Sequence, residues 1–331
     1  MNIGALLLGD PSPSLRWRAA RELQGAGDED PEVAAWRSEI DRSAEVDVLV
    51  ARLRAAEAHP YAAGYLLCQL AHLGYRGPAM TAAIEKIFDD QQPDGSWSMT
   101  PTGPGPLEGH RFITMHTAVP LRGIAAAGLA TDPRAERAYE WLLGVRLDDG
   151  SWPAGPKADL GQAGSPAPPE KEYRRLTRGL GCRSATTGAV ACLAMHPERR
   201  RSDVARIGVD HLLARETRDA ATLGWEVSRL VGLEPAMGQV TFHATFDLAF
   251  LLDLASRCGL SAQDRRVHDL VDYLETLRGP YGLWQHPAHP QLAGWLSFDL
   301  ETSRRRLAEG DWIGNEEPAT FVPYRRGPRR Y

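Results

Sequence analysis

Three stretches decide how this chain is read: Gln92-Pro93-Asp94-Gly95-Ser96-Trp97, Leu147-Asp148-Asp149-Gly150-Ser151-Trp152 and Gly279-Pro280-Tyr281-Gly282-Leu283-Trp284. Each ends on Gly-x-Trp, and Leu223-Gly224-Trp225 is a weaker fourth copy. The four tryptophans are 55, 73 and 59 residues apart. That is the length of two helices with their loops, so the chain reads as repeated helical hairpins.

Each copy follows a segment with apolar residues at i, i+3, i+4 and i+7: Ala79 to Phe88, Arg134 to Leu143, Val204 to Leu213 and Arg265 to Leu277. That spacing predicts amphipathic outer helices. After each turn comes a more uniformly apolar helix, at Ile113 to Leu129, Ala185 to Met195, Phe242 to Cys258 and Leu296 to Leu307, and Tyr61 to Leu73 is of the same kind. Helices apolar nearly all round belong inside. Pairs that cannot bury their own faces must stack, and inner helices apolar on both sides favour closure. The expected fold is all-α, an α/α toroid of about five to six hairpins in one domain over 1–331. Residues 1–58 form a helical preface, with helices at Pro11 to Leu23 and Glu32 to Ile40, and residues 313–331 form a tail. The long Pro/Gly-rich loops Ser98 to Gly109 and Pro153 to Gly181 are expected over one mouth of the ring.

With 331 residues and 43% apolar, the chain can bury a large core. The 38 Lys and Arg are outnumbered by 43 Asp and Glu, a net charge of −5, which lacks the basic field of a nucleic-acid binder. Apolar runs such as Ile124 to Ala130 fall well short of the roughly 20 residues that span a bilayer. Met1 to Arg18 has no basic region before its short apolar run, so a cytoplasmic location is expected. No CxxC pair is present. Cys68, Cys192 and Cys258 sit in apolar helical patterns and read as small buried hydrophobes.

The repeated helix, Gly-x-Trp turn and inner helix resemble the QW-type repeats of the squalene–hopene cyclase and protein-prenyltransferase β-subunit superfamily, from about Tyr61 to Gly310. The opening Leu8-Gly9-Asp10-Pro11-Ser12-Pro13-Ser14-Leu15-Arg16-Trp17 is similar to the start of bacterial cyclase-like members. The resemblance implies a toroid with a central substrate chamber and cyclase or isomerase chemistry. It also implies signatures that the sequence lacks. No Asp-x-Asp-Asp acid motif occurs, the nearest string being Arg146-Leu147-Asp148-Asp149 in a repeat turn. The Asp-x-Cys zinc pairing of the prenyltransferases is missing, as is the Cys-His-Gly of the lanthionine cyclases.

Aligning the inner helices gives a candidate constellation. Phe246-Asp247-Leu248 and Phe298-Asp299-Leu300 are one tripeptide 52 residues apart, and His116 and Thr187 fall near equivalent places. In a ring these groups would converge on the central cavity. His243 stands four residues before Asp247, on the same helical face. The catalytic candidates are therefore Asp247, Asp299, His116 and His243, beside the alternative that each Asp is a helix cap. The expected substrate wall is Tyr65, Phe112, Thr187, Phe242, Phe246, Phe250, Trp295 and Phe298. Cys182, with His243 and Asp247, is a weak metal candidate. No cofactor is implied, with zinc and magnesium left open.

The reading that follows is a terpenoid cyclase-like enzyme acting on an apolar small molecule of isoprenoid type by acid–base chemistry. Two alternatives stand beside it: a non-catalytic toroid holding a lipid or partner, and a glycan-processing enzyme using Asp247 and Asp299 as its carboxylate pair. The oligomeric state is left open.

Overall fold

Each repeat turn is a closed set of hydrogen bonds. In the first two, Gly95 and Gly150 take left-handed backbone angles, with φ of 93° and 85°, which a side chain would resist. The Asp94 and Asp149 carboxylates each accept from the N–H and the hydroxyl of the serine two residues on. The turn delivers its tryptophan into the core, where Trp97, Trp152 and Trp284 are fully buried. Each indole N–H donates to a carbonyl ten residues back, at Ile87, Leu142 or Leu274, on the helix before the turn. Each tryptophan backbone N–H donates to a hydroxyl on the helix after it, that of Thr117, Thr186 or Ser297. One residue thus ties an outer helix to the next inner one.

The computed structural model describes residues 2–56, 59–97, 114–153, 181–214, 222–233, 246–286 and 288–314. Its helices are α1 (Ile3–Leu7), α2 (Pro13–Arg18), α3 (Pro31–Ile40), α4 (Ala44–Ala55), α5 (Pro60–His72), α6 (Pro78–Asp89), α7 (Thr114–Ile124), α8 (Pro133–Gly144), α9 (Arg183–Met195), α10 (Asp203–Leu213), α11 (Trp225–Leu230), α12 (Leu248–Arg257), α13 (Arg265–Glu275) and α14 (Ala293–Ala308). A π-helical stretch, Ala19–Leu23, continues α2, and another, Ala125–Leu129, continues α7. Caps fit their sequences: Ser43, Asp132, Ser202 and Asp264 accept a backbone N–H at the starts of α4, α8, α10 and α13.

The inner helices pack in chain order, α5 on α7, α7 on α9, α9 on α12 and α12 on α14. The circle closes where α14 meets α1 and α2 and where the Trp295 ring lies 4.7 Å from the His72 ring of α5. The fold is an α/α toroid of five outer–inner pairs behind a helical preface. The sequence reading passed over α4, which serves as the outer partner of α5 and buries Val46, Leu49 and Leu53. The fourth copy of the turn also differs from the expectation. Trp225 is only half-buried and opens α11 instead of wedging between hairpins. Most of the loops Ser98 to Gly109 and Pro153 to Gly181 and of the tail 313–331 lies outside the described residues.

The tightest helix contact is α5 against α7. A Cβ on Gly64 would sit 2.5 Å from the Pro120 Cα, and one on Gly123 would sit 2.3 Å from the Gly64 carbonyl oxygen. Neither backbone can yield without opening the ring. Gly123→Ala is expected to cost about 2 kcal/mol through overpacking, and Trp152→Ala about 3–5 kcal/mol through the cavity it leaves. Urea unfolding followed by circular dichroism measures both, and a loss under 0.5 kcal/mol in either would contradict this packing account.

Candidate functional site

A cavity of about 230 Å³ opens inside the ring. It is lined by the C-terminal halves of α5, α7 and α9, by α11 and α12, by Asp299 of α14, and by α2 with the π-helical stretch that continues it. Its wall carries much charge. The apolar part includes Trp17, Met195, Val227, Leu230, Phe250 and Leu254 with several alanines, and the rest includes Arg18, Glu22, His72, Arg122, Glu226, Asp253, Arg257 and Asp299. The cavity therefore departs from the aromatic chamber expected from the sequence.

Most of these charges are neutralised in pairs. Arg18 Nε donates to Glu22 at 2.7 Å, Arg122 Nη1 to Glu226 at 2.7 Å, and Arg257 Nε to Asp253 at 2.8 Å, with Arg306 as a second partner of Asp253. Burial alone would raise the carboxyl of Asp253, but Arg257 and Arg306 overcome it and hold the pKa down at about 2. Arg18 and Arg122 also lie over aromatic faces, those of Phe298 and Phe250, at 4.5 and 4.9 Å.

Asp299 is different. Its carboxyl oxygens make no hydrogen bond or ion pair among the described residues. Burial pushes its pKa up to about 7, and the anionic Asp253 adds to the rise, against the pull of Arg18 and Arg257. It is the group on this wall that can carry and release a proton near neutrality. His72 lies on the same wall. Burial, and then the Arg18 cation, hold its pKa well below the usual histidine value, so its ring is neutral. Arg18 Nη1 stands 3.1 Å from His72 Nδ1. A guanidinium can only donate, so Nδ1 accepts and the ring proton sits on Nε2. That Nε2 is buried with no partner among the described residues.

The other expected site residues fall elsewhere. Asp247 is a cap: its carboxylate accepts the backbone N–H groups of Gly224 and Glu226 at the start of α11 and of Ala249 at the start of α12. It is 1% exposed and is absent from the cavity lining. Burial pushes its pKa up to about 7 against the three N–H groups. The matching tripeptides are also out of register, because Asp247 precedes α12 whereas Asp299 is the seventh residue of α14. His116 stacks on the Tyr61 ring at 4.7 Å and is half-buried, and burial lowers its pKa. Thr187 is buried and donates to the Arg183 carbonyl.

The expected convergence of His116, Thr187, Asp247 and Asp299 does not occur, since of the four Asp299 alone lines the cavity. Of the expected substrate wall, Phe250 lines it. Tyr65, Trp295 and Phe298 are buried in the packing around it, and the Arg183 guanidinium covers Phe246 at 5.0 Å. Cys182 is half-buried at the start of α9. Among the described residues no three His, Cys, Asp or Glu are grouped to hold a metal. Phe112, Phe242 and His243 lie outside the described residues.

Sequence reasoning missed Arg18, His72, Arg122, Glu226, Asp253 and Arg257. The available signal was an isolated charged or imidazole side chain among the apolar residues of an inner helix, as with His72 on α5, Arg122 beside His116 on α7, and Asp253 with Arg257 on α12.

No protein-family model matches this chain, and no curated protein does. Among solved structures it is similar to the type II terpene cyclase MstE from Scytonema, at 15% identity and a TM-score of 0.31, covering 82% of this chain and 98% of that one. Two single-residue variants of that enzyme, solved with geranylgeranyl dihydroxybenzoate, match over the same shares at 13% and 14% identity and TM-scores of 0.29 and 0.30. Overlap this loose carries nothing about the reaction. No helix among the described residues is long and apolar enough to cross a membrane.

An Asp299 carboxyl that titrates near 7 when folded and near 3.8 when unfolded binds more protons in the folded state over that interval. Its contribution to stability is full below about pH 4 and is lost as pH rises toward 7. Asp299→Asn is therefore expected to exceed the wild type in stability by about 1–3 kcal/mol at pH 8, with the gap closing toward pH 4. Chemical denaturation across that pH range reads it, and parallel curves for the two proteins would remove the perturbed carboxyl.

Proposed function

We propose that this chain is an acid–base enzyme of the terpenoid cyclase kind, with Asp299 as the proton donor inside the ring. The observation that carries this is the Asp299 carboxyl, without a hydrogen-bond partner among the described residues and pushed up to about 7, on the wall of the cavity. At neutral pH it is divided between acid and base forms, the condition under which a carboxyl transfers protons best.

The strength of that acid limits the substrate. A group titrating near 7 is too weak for an isolated alkene and suits an epoxide, or another polar group that breaks a bond once protonated. The proton passes from Asp299 to the substrate oxygen, and the C–O bond breaks with its electrons going to that oxygen. A neighbouring double bond then supplies the pair that closes the ring. Loss of a proton from the final cation to the Asp299 carboxylate restores the enzyme; where water takes that proton, Asp299 is reprotonated from solvent. Trp17 and Phe250 are the aromatic residues of the wall, although guanidiniums already lie over both rings, so the Asp253 anion, held ionised, is the main source of stabilisation for the cationic carbon. Neutral His72, with its free Nε2–H, can hold the substrate oxygen without protonating it. The apolar patch of Val227, Leu230 and Leu254 supports an isoprenoid or similarly apolar body.

A glycan reading would need two free carboxylates. Asp247 is engaged as a cap and Asp253 by two arginines.

The test is incubation with squalene, oxidosqualene and isoprenoid diphosphates, with and without zinc or magnesium, and product detection by mass spectrometry. Turnover of the oxygenated substrate is expected to fall by about 10²–10⁴ in Asp299→Asn, and in the wild type to decline above pH 7 as the donor ionises. Products formed undiminished by Asp299→Asn would rule out its role as donor.

A further inference from the structure

At the centre of the ring, α11 carries a buried charge cluster that does not balance. Arg229 is 1% exposed and Glu226 is 2% exposed at their side chains. One Glu226 oxygen is bound by Arg122 at 2.7 Å, and the other stands 3.5 Å from Arg229 Nη1, a loose contact. Two guanidinium cations thus share one carboxylate, which leaves about one positive charge shut away from water. An unpaired buried charge is among the most costly arrangements in a protein interior.

The unused donors have a geometry. Arg229 Nε and Nη2 are both buried with no partner among the described residues. These two N–H groups form the edge of the guanidinium whose bonds run parallel, the fork that matches two oxygens of one carboxylate or phosphoryl group. Beside it, the guanidinium lies over the Tyr65 ring at 4.7 Å. The Tyr65 hydroxyl is likewise buried without a partner. Burial raises its pKa above the usual tyrosine value, so it keeps its proton and remains a donor. Gln69, one turn further along α5, fixes α11 by donating from Nε2 to the Arg229 carbonyl.

Arg229 and Tyr65 do not themselves line the cavity, but other residues of their helices do. Glu226, Val227 and Leu230 of α11, with Cys68 of α5 and Arg122 of α7, line it. We propose that Arg229, with the Tyr65 hydroxyl, is an oxoanion-binding site that takes the carboxylate or phosphoryl group of a ligand whose apolar part lies in the cavity. A doubly ligated oxoanion would satisfy both orphan donors and cancel the excess charge. The proposal rests on the orphan donors alone and holds whether or not Asp299 transfers a proton.

Titration calorimetry and thermal unfolding of the full chain, in a buffer free of phosphate and carboxylate, test it with three probes: inorganic phosphate, inorganic pyrophosphate and octanoate. Saturable one-to-one binding of at least one probe is expected, and which one binds separates phosphoryl from carboxylate ligands. Arg229→Lys, which keeps the charge and loses the fork, is expected to weaken that binding at least about tenfold. Arg229→Met is expected to abolish it. That variant should still fold, because Glu226 keeps Arg122. Loss of turnover in Asp299→Asn bears on the proton donor only, and loss of probe binding in the Arg229 variants bears on this site only. Absence of saturable binding of all three probes, or equal affinity in Arg229→Met, would overturn the site. Should Arg229→Met not fold, unchanged affinity in Arg229→Lys would overturn it as well.

Discussion

The double hydrogen bond of each turn tryptophan is the constraint on which the rest of the molecule depends. A buried indole cannot leave its N–H unpaired at low cost, and in all three turns it finds a carbonyl on the outer helix before it. The backbone N–H of the same residue is paired to a hydroxyl on the inner helix that follows. The ring fills the wedge between hairpins, so one residue sets both the angle and the spacing of neighbouring pairs. Repeated around the circle, that geometry brings α14 back to the preface and to α5, and a closed interior results.

Closure changes the chemistry of whatever the inner helices carry. A charge on one face of an apolar helix would face water in an open array. Inside the ring it meets the charges of the other inner helices at low dielectric. The outcome depends on partners. Asp253 has two arginines and stays strongly acidic, while Asp299 has none in direct contact and is pushed up to about 7. His72 lies beside a cation and remains neutral. Three buried titratable groups of one cavity wall are thus separated in proton affinity by how far their neighbours offset or add to the effect of burial.

How much of this could be read beforehand varies by element. The outer helices α6, α8, α10 and α13 and the inner helices α5, α7, α9 and α14 fall where apolar periodicity places them, because each buries a stripe or a whole surface. Helix α4 was legible in its Ser43 cap and its Val46, Leu49 and Leu53 spacing, yet no repeat turn precedes it to draw attention. The site was far less legible. Duplication of Phe-Asp-Leu suggested equivalent positions, but one copy ends a loop and caps two helices while the other lies within a helix. A tripeptide does not record its distance from the start of its helix, and an Asp with N–H groups beyond a helix start is used quite differently from an Asp on a helix wall.

The sequence by itself determined the all-helical hairpin repeat, the outer and inner roles, and the lack of the acid and metal signatures known for this kind of fold. These are local properties, set by period, turn residues and composition. Tertiary structure alone decided that Asp299 faces the cavity with no partner, that Asp247 serves the backbone, and that α11 carries Arg229 into the centre. Those outcomes depend on which side chains from helices far apart in the chain end up within a few ångströms, as with Arg122 and Glu226 at a separation of 104 residues. Electrostatic pairing at such range is decided by ring closure, which no window along the chain contains.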